Sequence, residues 1–345
     1  MRRHSLSAST SLTAPSVLGT LGLLAFSGSV MANPQGGVVS AGSAAISGQD
    51  TPVVQVNQFS DRAVIDWKSF NIAPGEATRF TQPSATAAIL NRIHDQNPSQ
   101  ILGNLTANGQ VALVNPNGMV FGRDSRIDVG SLIATATNIP NERFLAGESL
   151  LFGQPGNRDA AIVNQGTVSV AEGGLVALVA PHVTNTGVIE AKAGRVALGA
   201  GDIFTVDLYG DGLISLATTD KLREETVDQQ GGIRAEGGAV LLTTAQARRV
   251  IDQAINMDGW VDVSGLSTEA GSVVLHGPGG TTDVGGALHA DNAAGQGGRL
   301  QITGEHVRVG AGALLTALGG SGGGDIKIGG IIWEAARRRM QRPRS

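Results

Sequence analysis

The sequence predicts an all-β protein, an elongated parallel β-helix in which successive coils stack on one another. Gly supplies 50 of the 345 residues and aromatic residues only 3%, whereas average Gly usage is about 7%. No segment between Asn33 and about Gly330 has the pattern of a long amphipathic helix. Short apolar runs separated by Gly and Asn recur instead, as is typical of strands. Their regular spacing favours a solenoid over a propeller, which would need four-stranded blades of about 40 residues.

The repeat is clearest in the middle of the chain. Asn164–Val168 returns as Asn185–Ile189 after 21 residues, and Gly174–Leu178 returns as Gly194–Leu198 after 20. A strand rises about 3.3 Å per residue, so this length fits three short strands and their corners, which is one coil. Gly and Asn are expected at corners because corners often need a positive φ. Further copies begin at Gly238, Gly271, Gly298 and Gly324, and copies of a shorter unit begin at Gly232, Gly259 and Gly286.

The first 32 residues have the three-part layout of a secretory signal peptide. A basic start at Arg2 and Arg3 precedes the ten-residue apolar stretch Val17–Phe26. Small residues follow, so export by the Sec machinery and cleavage by signal peptidase between Ala32 and Asn33 are predicted. The apolar stretch is too short to span about 30 Å of hydrocarbon as a helix.

Charge is distributed unevenly along the chain. The net charge is −4, of which residues 1–32 contribute +2 and the last nine +5, so the stretch 33–336 carries −11. An acidic body of this kind argues against a nucleic-acid-binding face. Residues 331–345 are Arg-rich and unlike any coil. We interpret them as a basic tail, either a capping helix or the end of a truncated or frame-shifted gene.

A tight turn is predicted at Asn115-Pro116-Asn117-Gly118, directly after the strand Val111–Val114. Asn at the first position, Pro at the second and Gly at the fourth favour a type I turn, since Pro pre-sets φ and the Asn side chain bonds the backbone ahead. Such a turn is common when taken alone. Its surroundings are more specific, because the chain reads in order DWKSFNI (66–72), ILNRI (89–93), PSQILGNLTANGQVALVNPNGMVFG (98–122) and IDVGSLIATATNI (127–139).

These motifs, in this order, resemble the N-terminal secretion domain of filamentous haemagglutinin-like exoproteins of two-partner secretion systems. The resemblance covers about residues 35–200, and the downstream repeats look like the stem of such proteins. Two departures are visible. Met119 stands where Ile is usual, and residues 134–138 read Ala-Thr-Ala-Thr-Asn where the family commonly has an Ala-Ser-Thr run. Neither change disturbs the turn.

The resemblance implies a right-handed parallel β-helix with an N-terminal cap and small extra-helical sheets. It also implies a chain that is held unfolded in the periplasm, is recognised by the POTRA domains of an outer-membrane β-barrel transporter, and is then secreted or displayed on the cell surface. The turn at residues 115–118 is then needed for secretion rather than catalysis. The implied organisation is a signal peptide (1–32), a two-partner secretion domain with the cap and first coils (33–200), stem coils (201–330) and the tail (331–345).

Three function classes stay open. The first is a non-enzymatic haemagglutinin or adhesin that acts on host cells or neighbouring bacteria, and the second is the delivery stem of a contact-dependent toxin without its toxic end. The third is a β-helical polysaccharide-active enzyme, in which Asp202, Asp207 and Asp211 would have to converge; we favour the interpretation that these residues are solvated turn aspartates. The chain has no Cys, and its six His residues lack close ligand spacing, so no metal or other cofactor is predicted.

Overall fold

The computed structural model describes residues 33–147, 149–206, 214–217, 225–245, 251–265 and 270–330. Within these residues the chain forms two long, mainly parallel sheets, a small antiparallel sheet and one short helix, α1 (Asn141–Ala146). No helix in this part of the chain is long and apolar enough to cross a membrane. The signal peptide predicted at 1–32, the tail 331–345 and the aspartates Asp207 and Asp211 lie outside the described residues.

The strands divide among the three sheets as follows. The larger sheet contains β1 (Val38–Ala41), β4 (Arg62–Trp67), β6 (Ala88–Ile93), β7 (Ser99–Ile101), β9 (Gln110–Val114), β10 (Gly118–Phe121), β12 (Ser131–Thr135), β14 (Ala161–Asn164), β16 (Leu175–Ala180), β17 (His182–Asn185), β19 (Arg195–Ala200), β22 (Thr226–Gln229), β24 (Ala239–Thr244), β25 (Ile251–Met257), β27 (Ser272–Val284), β29 (Arg299–Val309) and β31 (Asp325–Gly330). The second sheet contains β2 (Ala44–Ser47), β3 (Val53–Gln58), β5 (Ala77–Thr81), β8 (Asn104–Ala107), β11 (Arg126–Val129), β15 (Thr167–Val170), β18 (Val188–Glu190), β23 (Gly232–Arg234), β26 (Trp260–Asp262), β28 (Ala287–His289) and β30 (Leu314–Thr316). The small sheet contains β13 (Leu150–Phe152), β20 (Ile203–Val206) and β21 (Ile214–Ala217).

Successive coils pair in parallel register at the positions predicted from the repeat. Leu178 on β16 lies opposite Leu198 on β19, and this column continues through β24, β27, β29 and β31. A second interior column runs from Val168 through Ile189 to Ile233 in the other long sheet. These five side chains are fully buried, so each coil covers the aliphatic residues of its neighbour. The prediction of an all-β parallel β-helix is confirmed.

The buried amides at the ends of the coil strands have a different role from the one expected. Among the described residues other than Gly, only Ala193 has a positive φ, of 50°, so a positive φ does not explain the recurring Asn. Asn164, Asn185 and Gln229 are instead fully buried and form a ladder through the core. Asn164 Nδ2 donates to Asn185 Oδ1 (2.8 Å), and Asn185 Nδ2 donates to Gln229 Oε1 (2.8 Å). Hydrogen bonding between coils therefore accounts for these corner amides.

The N-terminal end of the solenoid is closed by β1 and β2. These strands run antiparallel to β4 and β3 respectively, whereas the other named strand pairs of the two long sheets run parallel. Beneath them Trp67 is fully buried, meets Phe70 edge-to-face with ring centroids 5.5 Å apart and donates its Nε1–H to Asn91 Oδ1 (3.0 Å). A terminal coil needs such a cover because its strand edges are otherwise free to pair with other chains. The predicted cap is present.

The outer face of the larger sheet carries a second apolar layer, which is covered by α1 and the small antiparallel sheet. Phe152 of β13 stacks on Phe204 of β20 with ring centroids 4.5 Å apart, in one cluster with Phe144 of α1. Arg62 on β4 holds the helix, because its Nη1 donates to the Phe144 carbonyl oxygen (2.9 Å) and its guanidinium lies 5.3 Å from that ring centroid. This is an extra-helical sheet of the kind that the resemblance implied.

Candidate functional site: a turn that joins three coils

The turn predicted at residues 115–118 connects β9 to β10. Gly118 N–H donates to the Asn115 carbonyl oxygen (2.9 Å), and Asn115 Oδ1 accepts the Asn117 N–H (2.9 Å). Asn117 does not have a positive φ, so the two central residues fit a type I turn. Gly118 has a φ of 93°, a left-handed conformation that Gly adopts without a steric cost.

Amide side chains fasten this turn to the loop of the preceding coil. Asn115 is fully buried, and its Nδ2 donates to the Asn97 carbonyl oxygen (3.1 Å) and to Ser99 Oγ (2.9 Å). Asn117 Nδ2 donates to the Asp95 carbonyl oxygen (2.8 Å). Asp95 in turn stabilises the loop, since its Oδ1 accepts the Asn97 N–H (3.0 Å). Both Asn residues of the motif therefore bind main-chain carbonyls that lie in place only when the preceding coil is folded.

The other side of the turn contacts the following coil. The Pro116 carbonyl oxygen accepts the Asn157 N–H (2.8 Å). Gly118 lies opposite Ala161 in the parallel pairing of β10 with β14, and a Cβ at Gly118 would collide with the Ala161 carbonyl oxygen. The turn thus joins three consecutive coils.

The loop that holds the turn is a feature that the sequence reasoning missed. Asp95 and Asn97 contribute main-chain carbonyls, which any residue type can supply, so composition does not mark them. One signal was present, because Asn97-Pro98 repeats the Asn-Pro step of Asn115-Pro116 one coil earlier.

A charged group lies beside this loop. Asp66 Oδ1 accepts Arg92 Nη1–H (3.1 Å) and lies 2.8 Å from His94 Nε2. Arg92 also donates to the Ile139 carbonyl oxygen (2.9 Å), which ties β6 to the segment that precedes α1. Burial raises the pKa of Asp66, but hydrogen bonds from Ser40, His94 and Arg92 and the positive charge of Arg92 outweigh it. The pKa of Asp66 therefore lies below its ordinary value.

The lowered pKa predicts an acid-dependent contribution to stability. A carboxylate with a depressed folded-state pKa stabilises the fold above its unfolded-state pKa of about 4, and this contribution is lost as the pH falls through the lower folded-state pKa. Asp66→Asn is expected to cost about 1 kcal/mol at neutral pH, and the difference in Tm from wild type should shrink as the pH falls below about 4. Thermal unfolding across this pH range measures it, with the exposed Asp50→Asn as the control. A Tm difference that persists unchanged in acid would contradict the assignment.

Of the three aspartates considered for catalysis, only Asp202 lies within the described residues. Asp202 is buried, and its carbonyl oxygen accepts the Thr137 hydroxyl (2.9 Å). Its two candidate partners, Asp207 and Asp211, lie outside the described residues. In the described part of the chain no group of three or more His, Cys, Asp or Glu side chains could hold a metal ion.

The residue that would follow signal cleavage is integrated into the cap. Asn33 is fully buried, and its Nδ2 donates to the Thr51 carbonyl oxygen (2.7 Å). Gln35 Nε2 donates to the Gln49 carbonyl oxygen (2.8 Å), which anchors the same segment. Ala32, on the other side of the predicted cleavage site, lies outside the described residues.

The fold and the turn together define a parallel β-helix module, in which the side chains of Asn115 and Asn117 bind main-chain groups. The family model of the TPS secretion domain matches residues 30–290. The chain belongs to this family, the secretion domains of two-partner secretion exoproteins, which reach the outside through the outer membrane with the help of a cognate transporter.

Curated relatives agree with this assignment. A protein named heme/hemopexin-binding protein from Haemophilus influenzae is 31% identical over 255 residues, which cover 70% of this chain and 27% of that protein. A second protein of the same name and species is 30% identical over 241 residues, covering 64% of this chain and 25% of the relative. The chain therefore spans about a quarter of the length of the curated relatives it matches.

Solved structures support the fold. The secretion domain of HMW1 from Haemophilus influenzae has a TM-score of 0.76 and 32% sequence identity, and the match covers 86% of this chain and 77% of that one. The filamentous hemagglutinin secretion domain has a TM-score of 0.53 and 17% identity, with 86% of this chain and all of that chain covered. The second likeness bears on the fold alone.

Proposed function

We propose that this chain is the secretion-directing part of a haemagglutinin- or adhesin-type exoprotein whose partner is an outer-membrane β-barrel transporter with periplasmic POTRA domains. The family match and the similarity to relatives named for binding support a binding role rather than catalysis. In this proposal a signal peptide at 1–32 is removed between Ala32 and Asn33 after Sec export. The protein then passes through the periplasm to the cell surface or the medium, where it meets host cells or neighbouring bacteria.

The coil architecture supports a route for export. An extended chain carries unpaired N–H and C=O groups and can add as a strand to an exposed sheet edge of a POTRA domain. Each coil that emerges then pairs with the preceding coil, as the six-residue register of β16 with β19 illustrates. Because coils contact mainly their neighbours, folding outside the cell would proceed coil by coil and oppose return of the chain. We assign transporter recognition to residues 33–200 and the stem to residues 201–330.

The observation that carries this proposal is the placement of the turn at residues 115–118. Asn115 and Asn117 bind the preceding coil, and Gly118 packs against the following one. The motif is therefore formed only when early coils have stacked, and in the extended chain its residues are free for the transporter. A motif of this kind can serve export without any catalytic group.

Replacing both Asn117 and Gly118 with Ile is expected to leave synthesis intact and to abolish appearance of the protein in the medium. The substitution removes the hydrogen bond to the preceding coil and places a side chain against the Ala161 carbonyl oxygen. Immunoblots of cells and medium, with and without the transporter, measure the effect.

Gly173→Ile is the matched control for this experiment. Gly173 also has a positive φ, of 78°, but a Cβ there would have no neighbour within 4 Å. The control carries the backbone strain but places no Cβ against a neighbouring coil, so it should still be secreted. Normal secretion of the double variant, or equal loss in the control, would remove the role assigned to the turn.

A further inference from the structure

Asn117 and Gly118 also form one of only two Asn-Gly dipeptides in the sequence, the other being Asn108-Gly109. Asn-Gly is the most labile Asn dipeptide, because Gly has no side chain to shield its backbone nitrogen. That nitrogen loses its proton to hydroxide and attacks the Asn Cγ. A C–N bond forms, the Cγ–Nδ2 bond breaks, and Nδ2 leaves as ammonia with a proton taken from water. Water then opens the cyclic imide to give Asp or isoaspartate.

The fold blocks this reaction at Asn117. The attacking atom, the Gly118 nitrogen, has its proton engaged by the Asn115 carbonyl oxygen (2.9 Å). The side chain under attack is fixed, because Asn117 Nδ2 donates to the Asp95 carbonyl oxygen (2.8 Å). Rotation of the amide onto the Gly118 nitrogen would break this contact with the preceding coil.

At Asn108, which is exposed, the side chain under attack is also fixed. Its Oδ1 accepts the Gln82 N–H (2.7 Å), and its Nδ2 donates to the Gln82 carbonyl oxygen (2.9 Å). Both ends of this amide are thus engaged by one residue of the preceding coil.

We propose that Asn117 and Asn108 are deamidation sites of the unfolded chain, and that stacking onto the preceding coil protects both of them. Asn115, the other Asn of the motif, is immune by the same route, because Pro116 has no backbone N–H to attack with. A chain that stays unfolded for longer therefore accumulates more deamidation at Asn117, in the turn on which export is proposed to depend.

Deamidation at Asn117 would damage the turn. An Asp carboxylate at this position has no donor for the Asp95 carbonyl oxygen that Asn117 now binds. Isoaspartate would in addition lengthen the main chain by one methylene group immediately before β10, whose first residue, Gly118, pairs with Ala161. This consequence for export rests on the proposed function, whereas the chemistry does not.

The chemical test uses the purified full chain at one alkaline pH and temperature, either in buffer or unfolded in guanidinium chloride. Peptide mass spectrometry follows the mass increase that accompanies replacement of an amide NH2 by OH. In denaturant Asn117 and Asn108 should deamidate far faster than Asn115, and in buffer both should react at least about 100-fold more slowly, since only locally opened molecules are reactive. Equal rates in the two conditions, or an unfolded Asn117 that reacts no faster than Asn115, would overturn the proposal.

The export test compares Asn117→Asp with Asn108→Asp in cells that carry the transporter. Asn117→Asp mimics the product at the turn and should lower secretion, whereas Asn108→Asp lies outside the turn and should lower it less. Full secretion of Asn117→Asp would contradict the inference that deamidation at Asn117 impairs export. It would not contradict deamidation of the unfolded chain. Failure of the proposed function itself would instead appear as normal secretion of the double Ile variant.

Discussion

Replacing Gly231 with Ala is expected to destabilise the β-helix by about 3 kcal/mol, a large cost for one added methyl group. A Cβ at Gly231 would collide with the Gly187 carbonyl oxygen in the preceding coil, and that same oxygen accepts the Gly232 N–H (2.9 Å). The following coil closes the other side, because the Gly231 carbonyl oxygen accepts the Trp260 N–H (3.0 Å). Adjacent strands are about 4.8 Å apart, so the methyl group can be accommodated only by stretching one of these bonds.

Denaturant unfolding and local hydrogen exchange around β23 measure this effect together, since solenoids need not unfold in a single step. Gly312→Ala is the matched control, because Gly312 has no positive φ and a Cβ there would have no neighbour within 4 Å. The control should stay within about 0.5 kcal/mol of wild type. A Gly231→Ala protein as stable and as protected from exchange as the control would show that the corners are not closely stacked.

The coil strands could be predicted from sequence because the stacking requirement repeats with every coil. A Cβ at Gly194 would meet the Gly174 carbonyl oxygen, and one at Gly238 would meet the Gly194 carbonyl oxygen. Each of these Gly residues directly precedes a strand of the larger sheet. A periodic Gly followed by a short apolar run therefore indicates a contact between coils. It predicts both the register of the paired strands and the columns of apolar side chains in the interior.

The extra-helical layer could not be predicted in this way. Its strands β13, β20 and β21 occur once each, pair antiparallel and come from separated parts of the chain, so no period indicates them. Phe152 and Phe204 are aromatic residues in a chain that has few, but nothing in their spacing shows that they stack. The outer face of the larger sheet, which these strands cover, carries the same apolar residue types as its inner face. A strand that is buried on both faces reads as one continuous apolar run, so the sequence does not show that a second layer covers it.

The amide ladder could be predicted from the sequence only in part. The recurrence of Asn164 as Asn185 was visible as a repeat, but a corner Asn fits a positive φ and a buried hydrogen bond equally well. Gln229, the third member, has a longer side chain and breaks the Asn pattern, so the ladder could not be followed further by residue type. Register decides the question, since β14, β17 and β22 place all three amides opposite one another.

Replacing Asn185, the middle member of this ladder, with Ala is expected to cost about 3–4 kcal/mol of stability. The change leaves the Asn164 Nδ2 donor and the Gln229 Oε1 acceptor in the core without their present partner, and each unsatisfied buried group costs about 1–3 kcal/mol. Asn104→Ala, an exposed Asn on β8, should stay within about 0.5 kcal/mol of wild type. Denaturant unfolding compares the two variants.

A double variant tests whether the amides act as one network. Once Asn185 is Ala, the Asn164 Nδ2 has already lost its acceptor, so Asn164→Ala should cost at least about 0.5 kcal/mol less in that background than in wild type. Strictly additive costs would show that the two side chains contribute independently, and the ladder would then be a by-product of coil stacking. Coupled costs would show that the amides of consecutive coils stabilise one another.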